Sequence, residues 1–67
     1  MKTEAPPRLL TPEESGEFLR LRPQTVRRMA ARGLLPYYRI NGRGDLRFAQ
    51  ADLLRFLEQR RVEPRGA

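Results

Sequence analysis

The chain has 67 residues, with 14 lysines and arginines against 8 aspartates and glutamates, no cysteine and no histidine, and a formal net charge of +6. At most one domain fits this length, and its core is too small to enclose a large active site. The missing residue types remove disulfide frameworks, Cys/His zinc sites, cysteine nucleophiles and histidine acid–base chemistry together.

Ser15 is the single serine and Lys2 the single lysine. A hydrolase constellation has almost nothing to draw on, so no catalysis, metal or cofactor is expected. No apolar run is long enough to span a bilayer, and the N-terminus lacks the apolar block of a secretion signal. The expected location is therefore the cytoplasm, with which the absence of cysteine agrees. A pI near 11.3 points to a polyanionic partner unless the arginines serve only solubility. Where they sit decides between the two.

Residues 1–8 are polar and proline-containing and read as a flexible arm. Leu9 and Leu10 lead into a helix start at Thr11, Pro12, Glu13 and Glu14. Thr11 is placed to accept the Glu14 N–H while the Glu14 carboxylate reaches back, and Pro12 suits the first turn. Glu13, Glu14 and Glu17 complement the helix dipole and make this helix a poor surface for a polyanion. Phe18, Leu19 and Leu21 are its expected buried side, with Leu10 packed nearby. Ser15 and Gly16 are weak helix-interior choices; a close backbone approach would explain Gly16, and a small loss of stability is the simpler reading.

The pattern breaks at Arg20, Leu21 and Arg22, and Pro23 opens a second helix that Gly33 ends. At about 100° per residue, Val26, Met29 and Ala30 share one side, and Gln24, Arg27, Arg28 and Ala31 the opposite one. Thr25 and Arg32 lie on the flank. Two short helices joined by three or four residues, the second one basic, make a helix-turn-helix.

After Leu34, Leu35 and Pro36, the run Tyr37–Ile40 alternates as a strand, Asn41–Asp45 forms a glycine-containing loop, and Leu46–Phe48 returns as a second strand. With period two, Tyr38, Ile40, Leu46 and Phe48 are expected inside, and Tyr37, Arg39 and Arg47 outside. A hairpin with arginine on its outer face and Arg43 at its tip is a wing, or else simply covers the core. Asp52–Arg61 is expected as a third helix with Leu53, Leu54, Phe56 and Leu57 as its apolar side and Arg60 and Arg61 in its last turn. That wide stripe leaves room for contact with a second copy. Residues 62–67 read as a frayed tail. The expected fold is thus mainly α with a small β-hairpin, a winged helix-turn-helix over residues 9–61 in the order helix, helix, two-stranded wing, helix.

LLTPEE, then RPQTVRRMAARGLLPYYRI, a glycine-containing loop, LRF and DLLRFL together resemble the small winged-helix DNA-binding proteins of the excisionase type, related to MerR-like domains. The resemblance spans Leu9 to about Glu58, and its most specific piece runs from Thr25 through Pro36. It implies that the second helix enters the major groove with Gln24, Thr25, Arg27 and Arg28. It also implies that the wing holds DNA through Arg39, Arg43 and Arg47, with Tyr37 beside them. The chain departs from the family pattern at Ser15 and Gly16, where an apolar residue and alanine are usual. It departs again at Arg20, usually small and often glycine, and at Arg22, usually a serine or threonine cap. Arg20 and Arg22 add charge for the DNA backbone.

Arginine can pair two ways with guanine O6 and N7, and glutamine similarly with adenine. Gln24 and Arg28 are the base-reading candidates; Thr25, Arg32 and the wing arginines suit phosphates, which position without specifying. A single small domain buries limited DNA surface, so further copies on adjacent sites are expected. Excisionase-type relatives bind cooperatively, bend DNA and assist a tyrosine integrase, which would place the protein with the nucleoid. A small MerR-like transcription regulator is the alternative, although such regulators usually append a long dimerising helix and this sequence ends soon after Arg61. A third reading is a module binding an acidic protein or RNA.

Overall fold

The computed structural model describes residues 8–64. Its elements in order are β1 (Leu9–Leu10), α1 (Pro12–Leu19), α2 (Pro23–Ala31), β2 (Tyr38–Arg39), β3 (Leu46–Ala49) and α3 (Gln50–Gln59). Three helices around a small antiparallel sheet make the mainly helical, winged helix-turn-helix arrangement expected from the sequence.

Local signals set the helix ends. Thr11 accepts the Glu14 N–H at 3.0 Å, and the Glu14 carboxylate accepts the Thr11 N–H at 2.9 Å. Each bond satisfies a backbone donor of the first turn that has no helical partner. Pro23 opens α2. At its other end Gly33 takes φ +78°, its N–H donates to Ala30 O at 3.0 Å, and the Leu34 N–H donates to Met29 O at 2.9 Å. This pair of bonds across a left-handed residue closes the helix.

The sheet order is β1-β3-β2, one strand more than the expected hairpin. Leu9 pairs with Ala49 and Leu10 with Phe48, and the Gln50 N–H donates to the Arg8 carbonyl at 3.0 Å. Two residues are too few to show alternation, so this strand has no sequence signature.

The wing corrects the expected faces. Tyr38 pairs with Arg47 and Arg39 with Leu46, and directly opposed residues of an antiparallel pair share a face. Arg39 therefore lies on the side of Leu46 and Phe48, whereas Tyr38 lies with Arg47 on the other. Tyr38 and Ile40 are exposed rather than inside, while Tyr37 is exposed as expected, with its ring centroid 6.5 Å from that of Phe48. The cause is the loop length. The Ile40 N–H donates to Asp45 O at 2.9 Å, so Asp45 belongs to the ladder and the loop is Asn41–Gly44, one residue shorter than read. A one-residue slip moves every side chain to the opposite face. Asn41 shapes this turn: its Oδ1 accepts the Arg43 N–H at 2.8 Å and its Nδ2 donates to Asp45 Oδ2 at 2.8 Å.

The core gathers Leu10, Val26, Ala30, Leu35, Phe48, Leu53 and Phe56, with Phe18, Leu19, Met29 and Leu46 packed against it. Each fully buried Leu or Phe contributes roughly 1.5–3 kcal/mol of hydrophobic stabilisation before entropy is counted. Three expectations change. Leu21 follows the end of α1 and is exposed; Leu54 and Leu57 are also exposed, because only one side of α3 is covered. Gly16 and Ser15 are buried instead. α3 begins directly at the end of β3, with Ala49 as its cap, so it starts at Gln50 and ends before Arg60 and Arg61. Arg60 instead lies over the Phe56 ring, 4.0 Å from its centroid.

Candidate nucleic-acid interface

The amphipathic reading of α2 holds in three dimensions. Val26 and Ala30 are buried, Thr25 and Met29 half-buried, and Gln24, Arg27, Arg28, Ala31 and Arg32 exposed. The helix thus docks by its apolar stripe and presents a basic one. Arg22 occupies its N-cap in extended conformation without a side-chain cap bond. The first N–H groups of α2 therefore keep their capacity for an anion, where the helix dipole also favours negative charge.

Among the described residues, Arg28 and Arg32 have no carboxylate partner, but Arg27 does. Its Nη2 lies 3.1 Å from Glu13 Oε2 on α1, with both side chains more than half exposed. The Glu13 carboxyl is held below its ordinary range, chiefly by its own backbone N–H, with Arg27 adding to the lowering against the opposing effect of desolvation. The acidic first helix therefore does not stand apart from the basic face but touches it. Fourteen residues separate the pair, and neither position carries a local signal that names the other.

Arg20 and Arg22 flank the turn. Arg20 is exposed at the C-cap of α1 with φ 61° and ψ 41°, a left-handed conformation that glycine adopts without cost and arginine does not. On the wing, Arg43 sits in the Asn41–Gly44 loop and Arg39 is exposed. Arg47 is half-buried and folds back, its Nη1 donating to the Leu46 carbonyl at 2.8 Å. Arg39 and Arg47 point to opposite faces, so the three wing arginines do not form the single outer stripe expected. Tyr37 is exposed, its ring tilted against that of Phe48 at 6.5 Å between centroids.

One groove joins the parts. Thr11, Pro12 and Glu13 at the start of α1, Arg27 of α2, and Gly44–Arg47 at the base of the wing line it together. The second helix and the wing thus face each other across the N-terminus of α1. The sequence model of a family described as "Helix-turn-helix domain" matches residues 9–61. The chain belongs to this family. The match covers every element from β1 to α3, and this helix-turn-helix domain, of the excisionase-like kind, is a DNA-binding unit. Neither the curated proteins nor the solved structures hold a significant match to it. No helix among the domain's described residues is long and apolar enough to cross a membrane.

Proposed function

We propose that the chain is a sequence-specific double-stranded DNA-binding protein acting as an excisionase, a recombination directionality factor. In this reading it fills repeated neighbouring sites cooperatively, bends the DNA and assists a tyrosine integrase. α2 enters the major groove with Gln24, Thr25, Arg27 and Arg28, while Arg20, Arg22 and Arg32 take the adjoining phosphates. Arg43 at the wing tip follows the backbone beside the groove together with Arg39, and Arg47, on the opposite face of the wing, joins them only by releasing the Leu46 carbonyl. The observation that carries this reading is the face of α2: within a chain of the helix-turn-helix family, it exposes Gln24 and Arg28 side by side while Val26 and Ala30 anchor the helix.

The charge of this face supplies affinity that falls with salt, and the base edges supply selectivity. A module of this size covers little DNA alone, which is the physical reason for several copies in a row. The test is a footprint on DNA flanking its own gene, repeated across salt. Protected sites arranged as direct repeats and filled cooperatively are expected. A single inverted repeat over a promoter overturns the excisionase role in favour of transcriptional regulation. Binding that ignores salt, or prefers RNA or an acidic protein to duplex DNA, overturns the nucleic-acid interface itself.

A further inference from the structure

The ion pair between Glu13 and Arg27 is the contact on the basic face that the reading above leaves unused. It rests on two rigid supports. Glu13 stands in the first turn of α1, locked by the reciprocal bonds of Thr11 and Glu14. Arg27 stands in the middle of α2, next to the fully buried Val26. The groove around the pair also holds Asp45 and Arg47, so two carboxylates stand there against two guanidinium groups.

A phosphate entering this groove would meet Glu13 and Asp45, and like charges repel it. A base edge carries no net charge and meets no such barrier. Glu13 engages Nη2 of Arg27 at 3.1 Å, one of five N–H donors on a planar fork, and leaves the others available. A guanidinium held in this way has lost rotamer freedom before DNA arrives, which favours a contact that demands fixed orientation.

We infer that Glu13 is a specificity-positioning residue: it withholds Arg27 from the phosphates and orients it for a guanine edge in the major groove. This deepens the DNA-binding reading and rests on it. Glu13 acts through Arg27 and need not touch DNA itself. Arg27 then adds to selectivity and little to salt-dependent affinity.

The experiment uses the whole chain and two duplexes: one selected by the wild-type chain from a randomised pool, and its scrambled counterpart. For Glu13→Gln, affinity for the scrambled duplex rises, and the salt dependence steepens by about 0.9 in log–log slope, one more phosphate contact. The ratio of selected to scrambled affinity falls about tenfold, within the range of one bidentate base contact. Arg27→Lys, which keeps the charge and loses the fork, lowers the ratio similarly, and the double variant lowers it no further than Arg27→Lys alone. Thermal melting of both variants confirms folding independently of DNA.

A ratio unchanged in Glu13→Gln overturns the inference, as does a gain of equal size on both duplexes, which would make Glu13 a simple repelling charge. A wild-type chain that binds duplexes with normal salt dependence but selects no sequence overturns this inference and the sequence specificity of the proposed function, and leaves duplex binding itself standing. One that binds no duplex overturns the DNA-binding reading, and this inference with it.

Discussion

The carbonyl oxygen of Leu21 lies 2.5 Å from the point a Cβ on Gly16 would occupy, and the Pro23 nitrogen lies 3.3 Å from it. The turn between α1 and α2 therefore lies directly on the helix backbone, held by the Leu21 N–H donating to Gly16 O at 2.7 Å. Alanine here gains about 1 kcal/mol of helix propensity but forces backbone against a methyl group, an overpacking cost of about 1–3 kcal/mol. Gly16→Ala is expected to destabilise despite the better helix former. A thermal melt reads this as a lower Tm; an unchanged or raised Tm would show that the turn shifts freely.

Ser15 stands beside that contact with no solvent exposure, and its hydroxyl has no hydrogen-bond partner. A buried unpaired polar group costs about 1–3 kcal/mol. Ser15→Ala removes the group, keeps most of the volume and suits the helix better, so it is expected to stabilise by about 1 kcal/mol. Urea denaturation checks this, and a loss of stability would mean that the hydroxyl is bonded in solution.

Arg20 adopts its left-handed conformation at φ 61° at a cost of roughly 1–2 kcal/mol for a residue with a Cβ. Arg20→Gly relieves that strain and loses part of the gain to the greater freedom of glycine when unfolded. A net gain of about 0.5–1 kcal/mol is expected, which in a domain of this size is a rise in Tm of several degrees. Arg20→Val should lower Tm, because a β-branched side chain fits this conformation worst.

Arg28 and Arg43 separate the two roles assigned to the basic surface. Arg28→Ala is expected to weaken binding to a selected duplex by about 1–3 kcal/mol while changing scrambled DNA far less. Arg43→Ala, at the wing tip, should weaken all duplexes alike and reduce the salt slope by about 1. Anisotropy titrations of both duplexes across salt give the comparison. Small and equal effects from both variants would mean that α2 does not face the groove by the side proposed.

Much of the helical part was legible in the residues because its determinants lie within four positions of one another. The reciprocal Thr11 and Glu14 bonds, Pro12 and Pro23 at helix starts and Gly33 at a helix end are all local. So is the division of α2 into the Val26 and Ala30 side and the Gln24, Arg27 and Arg28 side, which follows from 3.6 residues per turn. The family resemblance drew on the same run and was matched over residues 9–61.

Tertiary structure alone decided which faces the wing presents, because strand alternation fixes the faces only relative to one another. The choice between them turned on whether Asp45 closes the loop or joins the ladder, and the Ile40 to Asp45 bond settled it. It also decided the pairing of Leu10 with Phe48, the need for glycine at position 16 and the junction of Glu13 with Arg27. Each of these joins residues that sequence order keeps apart or a backbone approach that no side chain announces. Short-range bonding and helical periodicity can be read along a chain; the meeting of distant segments exists only once the core has packed.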